Sequence, residues 1–159
     1  MPEIPKKHDR GSATINTLKI AGAQLGSSWE DPETSLKRAE PYVREAAELG
    51  AQLICFPEQY PTGWNPGSLL HVQDREEMIV TRFRGLAKEY AIAILGSFRE
   101  RSLPKPRNTC IVLDQYGEEI ASYSKSHLFT PADEDTWYSP GDTPGIFRLS
   151  GVFFGIAIC

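Results

Sequence analysis

Three side chains suited to nucleophilic chemistry stand at the ends of apolar runs: Glu58 after "LICFP", Lys125 after "IASYS" and Cys159 after "FFGIAI". In α/β sheets the strand ends are where crevices form, because side chains there leave the core yet remain held by it. A cysteine is a good nucleophile only as thiolate, so it needs a base to take its proton and a positive charge to favour the anion. Glu58 can do the first and Lys125 the second. The same ammonium can then hydrogen-bond the oxyanion or imide anion that forms when sulfur attacks a carbonyl or nitrile carbon. One such donor is worth on the order of 3–4 kcal/mol of transition-state stabilisation.

These residues need a sheet to hold them, and the pattern supplies one. "LKIAGAQL", Leu18 to Leu25, mixes apolar and small residues as a buried strand would. Asp31-Pro32 provides an N-cap and a first-turn proline, and Leu36, Ala39, Val43, Ala46 and Ala47 then form one apolar helix face closed by Gly50. "AQLICFPE" is a short apolar strand ended by Pro57, followed by a loop rich in Pro, Gly and Asn from Gln59 to Gly67. Asp74 with Glu77 resembles a capping box and opens a second helix through Ile79, Phe83, Leu86, Ala87 and Tyr90. "AIAILGSF" is a third strand. "NTCIVLD" and "EEIASYSK" form a hairpin about Gln115-Tyr116-Gly117, and a last pair of strands turns at Ser150-Gly151. The class is α/β, with helices covering a sheet. Six or seven strands against two helices leave one sheet face largely uncovered, and the last strand lacks a following element, so the fold reads as truncated. Residues 1–16 read as a disordered arm and 17–159 as the domain.

Composition excludes several roles. Seventeen basic against 21 acidic residues give a net charge of −4 without a Lys/Arg cluster, which argues against nucleic acid as a partner. No apolar run is long enough for a bilayer and the polar opening is no signal peptide, so no membrane partner is expected and the default address is the cytoplasm. Three scattered cysteines make neither a disulfide framework nor a zinc site; Cys55 and Cys110 read as core thiols.

"FPE" at Phe56-Pro57-Glu58, "YSKSHLF" around Lys125 and "GIAIC" ending at Cys159 resemble the Glu, Lys and Cys motifs of the nitrilase superfamily of carbon–nitrogen hydrolases, in that family's order and with similar spacing. The resemblance runs from Leu18 to Cys159. It implies an α-β-β-α sandwich assembled as a homo-oligomer, no metal or organic cofactor, and a thioester mechanism with Glu58 as base, Cys159 as nucleophile and Lys125 as oxyanion stabiliser. Glu134 matches a second glutamate that helps orient the lysine and substrate; without that match, "ADED" would read as a solvated acidic run. Family members continue beyond the nucleophile. A chain ending at Cys159 would set an α-carboxylate beside the thiol, raising its pKa, and would lack the next backbone N–H for the oxyanion, so this chain alone is expected to be inactive or nearly so.

Around this set, His127 is expected to hydrogen-bond within its loop and position Lys125; no second residue at ligand spacing supports a metal role. Tyr60, Trp64 and Trp137 either line a substrate pocket or act as core lids. The leading function is amidase-type hydrolysis of a small carboxamide or N-carbamoyl amine. Nitrile hydrolysis is the narrower alternative, and a non-catalytic oligomerisation or interaction module comes from another class. A thiol redox role lacks a resolving cysteine near Cys159.

Overall fold

The computed structural model describes residues 17–159; the arm expected over residues 1–16 lies outside them. The first strand, β1 (Ile20–Gly22), is shorter than the apolar run around it and half-exposed. It is an edge strand, pairing in parallel with β2 (Leu53–Cys55) alone. Between them runs α1 (Pro32–Glu48), where Asp31 Oδ1 accepts the Thr34 N–H at 3.0 Å and Pro32 fills the first turn. Gly50, at φ +77°, ends the helix in the left-handed conformation that glycine adopts without steric cost. The predicted apolar face is buried at Leu36, Ala39, Val43 and Ala46.

Helix α2 (Met78–Tyr90) starts four residues after the Asp74 expected to cap it. The Glu77 carboxylate does bond back to the Asp74 N–H at 2.5 Å, but this closes a separate turn. Arg101 salt-bridges both acids and holds that turn against the sheet. The side-chain oxygen of Gln73 accepts the Ile79 N–H at 2.9 Å and acts as the cap.

Strands β3 (Ala93–Glu100), β4 (Arg107–Leu113) and β5 (Glu119–Ser124) complete a five-stranded sheet in chain order, parallel through β3 and antiparallel beyond. Alternation sends Ile94, Phe98, Ile111 and Leu113 to the helix side, where they pack with Leu36, Val43, Phe83 and Leu86. Burial of each large side chain contributes about 1.5–3 kcal/mol. A four-residue helix, α3 (Glu134–Trp137), was not expected.

On the other sheet face the hairpin of β6 (Gly145–Leu149) and β7 (Val152–Ile156) begins a second layer. Phe147 and Phe154 stack at 5.0 Å, and Phe147 packs on Leu53, Ala93 and Val112. A side chain at Gly145 would stand 2.6 Å from Tyr123 Cβ, so glycine lets this layer approach the sheet. Thus one helix layer, a sheet and part of a second sheet follow the order expected for a nitrilase-like sandwich. The turn formed by Ser150 and Gly151, both at positive φ, sits where the sequence put it.

Candidate active site

Glu58 follows β2 because Pro57 stops the strand and Gln59 turns the chain at φ +48°. The turn is anchored by the Gln59 N–H donating to Ser97 Oγ on β3 at 2.7 Å. Lys125 leaves the end of β5 still tied to the sheet: its N–H donates to the Asn108 carbonyl and its own carbonyl accepts the Gly141 N–H, both at 2.9 Å. Glu134 opens α3, with the Phe129 N–H donating to its Oε2 at 2.7 Å.

These three side chains converge. Lys125 Nζ lies 2.9 Å from Glu58 Oε1 and 2.9 Å from Glu134 Oε2. Lysine and Glu134 are fully buried, whereas the Glu58 side chain keeps 26% of its exposure and is the member open to solvent. Burial alone favours the neutral amine. Hydrogen bonds to Glu134 and Glu58 and their negative charges outweigh it, so Lys125 is held above the ordinary lysine range and stays protonated at neutral pH. The "ADED" acid at Glu134 is therefore a buried ion-pair partner and not a solvated charge.

Cys159, exposed and three residues beyond the end of β7, lines a cleft of about 290 Å³ together with Glu58, Phe56, Leu95, Ser97 and Cys110. Glu58 is the member of the ion cluster that lines this cleft, with Lys125 Nζ 2.9 Å from its Oε1. Cys110 and Cys55 are sheet residues whose thiols burial pushes up, Cys110 to about 12.

The four outlying residues divide. Trp64 lies with its ring centre 5.8 Å from Lys125 Nζ and packs edge-on against Phe129, beside the ion cluster. Tyr60 belongs to the core: it is fully buried, stacks on Phe56 and donates its hydroxyl to the Ser35 carbonyl at 2.7 Å, which excludes it from a pocket lining. Trp137 is exposed on α3. His127 is exposed and has no hydrogen bond among the described residues, so the expected positioning of Lys125 by His127 is replaced by the two glutamates and the Asn108 carbonyl.

Two residues were not singled out from the sequence. Asn108, fully buried on β4, donates its Nδ2 to Glu58 Oε1 at 2.7 Å and Glu134 Oε1 at 3.4 Å. Arg99 on β3, also fully buried, pairs with Glu30 and bonds Gln59, Ser68 and the carbonyls of Gly63 and Leu70, pinning the loop after Glu58 to the sheet. An arginine inside the apolar run "AIAILGSFRE" was the available signal, since a charge at a strand's core position implies a buried partner. Among the described residues no cluster of three or more His, Cys, Asp or Glu is arranged to hold a metal ion, and no helix is long and apolar enough to cross a membrane.

Comparison with known proteins identifies the family of the fold. The chain is 29% identical over 142 residues to a 2-oxoglutaramate amidase of Bacillus subtilis, covering 88% of this chain and 54% of that protein. It is 28% identical to an N-carbamoylputrescine amidase of Solanum lycopersicum, covering 92% and 52%. An amidase from Nesterenkonia sp. superposes with a TM-score of 0.81 at 27% identity, over 89% of this chain and 55% of that one. A variant of that amidase carries acrylamide added at its active-site cysteine. The chain spans about half the length of the curated relatives it matches. A family model described as carbon-nitrogen hydrolase matches residues 19–159, the whole of the fold that carries Glu58, Lys125 and Cys159, and the chain belongs to that family, within the nitrilase superfamily.

Proposed function

We propose that Glu58, Lys125 and Cys159 are the reacting set of an amidase-type hydrolase that cleaves a small carboxamide or N-carbamoyl amine. The observation that carries this reading is the buried Glu58–Lys125–Glu134 cluster whose one open member, Glu58, faces the cleft that holds Cys159. Glu58 takes the Cys159 thiol proton as sulfur bonds to the carbonyl carbon, and the carbonyl π-electrons move to oxygen. Lys125 stabilises that oxyanion. Glu58 returns the proton to nitrogen as the C–N bond breaks, and ammonia or an amine leaves a thioester on Cys159. Water, deprotonated by Glu58, then attacks the thioester; the C–S bond breaks and the acid departs with the enzyme restored. Glu134 also bonds the ammonium, at 2.9 Å, so the lysine keeps a carboxylate partner while Glu58 carries the proton.

Relatives that are amidases and a variant of the Nesterenkonia amidase in complex with butyramide support small amides as first substrates. The test is ammonia release from aliphatic amides and N-carbamoyl amines by the complete protein expressed from its own gene. Cys159→Ala should abolish turnover, and Lys125→Met should lower kcat by about 10²–10³. Full turnover by the Cys159→Ala protein would refute the assignment.

A further inference from the structure

We propose that Asn108 is a positioning residue for the reaction: it commits one oxygen of Glu58, so that the other is the one presented to the nucleophile and substrate. This inference rests on the catalytic reading above. Glu58 Oε1 accepts two hydrogen bonds, from Lys125 Nζ at 2.9 Å and Asn108 Nδ2 at 2.7 Å. Its Oε2 has no partner among the described residues, and the side chain opens onto the cleft that Cys159 lines. A carboxylate held by a single ammonium can rotate and exchange its oxygens. A second donor, on an interior strand paired on both sides and bonded to the same oxygen, removes that freedom.

The direction of the Asn108 amide follows from its surroundings. Both Glu58 and Glu134 face it with acceptors, so only the amino end can point at them; the reverse orientation would set its carbonyl oxygen against two carboxylates. That choice strands Asn108 Oδ1, which is buried without a hydrogen-bond partner among the described residues. A buried unpaired amide oxygen is unfavourable for folding, so this position gives up local stability for the arrangement it imposes on the two glutamates. Asn108 also accepts the Lys125 N–H with its main-chain carbonyl, tying all three charged residues to one point of β4.

The test uses Asn108→Ala and the near-isosteric Asn108→Asp in the complete protein, with Cys159→Ala as reference, and reads both kinetics and crystal structure. Asn108→Ala should lower kcat about 10–100-fold with KM changed less than threefold, and the unfolding midpoint should fall as well, because the buried Glu134 Oε1 loses its one donor among the described residues. Asn108→Asp should lower kcat further, since an acceptor then faces two carboxylates. In the Asn108→Ala structure the Glu58 carboxylate should be rotated or split between orientations. A Glu58 carboxylate left in place, still 2.9 Å from Lys125, would overturn the inference whatever the activity; so would a KM effect with kcat unchanged. Turnover that survives Cys159→Ala would instead refute the catalytic reading, and the structure of the Asn108→Ala protein would still decide whether Asn108 orients Glu58.

Discussion

Replacing Arg99 by methionine should destabilise the protein by about 3 kcal/mol, toward the lower end of the roughly 3–5 kcal/mol lost when one partner of a buried ion pair is removed. The lower end applies because Glu30 retains 15% of its side-chain exposure and keeps the Asn65 amide as a donor, so its carboxylate is not wholly abandoned. The cost arises from what the guanidinium leaves behind. It makes six hydrogen bonds, two to Glu30 and one each to Gln59, Ser68, Gly63 and Leu70. Methionine fills much of the volume but supplies no donor; the Leu70 carbonyl loses its donor, while the Gly63 carbonyl keeps only the Thr62 hydroxyl. The assay is urea unfolding of wild type, Arg99→Met, Glu30→Met and the double variant. The double variant should be more stable than the sum of the singles predicts, with a coupling of about 1.5–3 kcal/mol, because neither charge is left alone. Hydrogen exchange should rise over the loop from Gln59 to Leu70, which the arginine pins. An Arg99→Met loss below about 1 kcal/mol, or additive singles, would refute the view that this ion pair holds the loop after Glu58.

Iodoacetamide at pH 7 should label Cys159 in the folded protein and spare Cys55 and Cys110, whose thiols burial raises; peptide mapping that finds Cys110 modified first would contradict this. Because the folded pKa of Lys125 is raised, its contribution to stability is complete below the unfolded lysine value, about 10.4, and is lost as pH rises through the higher folded value. Urea midpoints should therefore fall on the alkaline side for wild type, and this component should be missing in Lys125→Met. Gly141→Ala should destabilise by about 1–3 kcal/mol and lower turnover, since its Cβ would stand 2.3 Å from the Ser124 carbonyl, next to the residue that Gly141 helps to hold; a crystal structure with Lys125 unmoved would count against the second effect.

The elements were legible wherever one local signal governed them. The Asp31 cap, the Gly50 stop and the turn at Ser150-Gly151 are short-range devices, and each stands where its residues predicted. The start of α2 was misplaced because its cap is made by Gln73, a residue outside the helix-start vocabulary, while Arg101 draws the apparent capping box to the sheet. Glu58, Lys125 and Cys159 could be picked out by residue type at strand ends, and Glu134 only through its family match. Asn108 could not be found that way: an asparagine between a strand start and an apolar run looks like turn chemistry, and its partners are 26 and 50 residues away. Tyr60 was left between pocket and core for a related reason, and the core alternative is the one found. A tyrosine in a loop near a strand end suits a pocket, but Phe56 and the Ser35 carbonyl together satisfy its ring and its hydroxyl inside the core.

The central claim is that Cys159 carries the acyl group between Glu58-assisted steps. It is tested most directly by acid-quenching the complete protein during turnover of a slow amide substrate and mapping the adduct by mass spectrometry. The expected result is one acyl group, on the peptide ending at or containing Cys159, that vanishes as substrate is exhausted and is absent in Cys159→Ala. Steady hydrolysis with no acyl group on that cysteine, or with the group on another residue, would contradict the account.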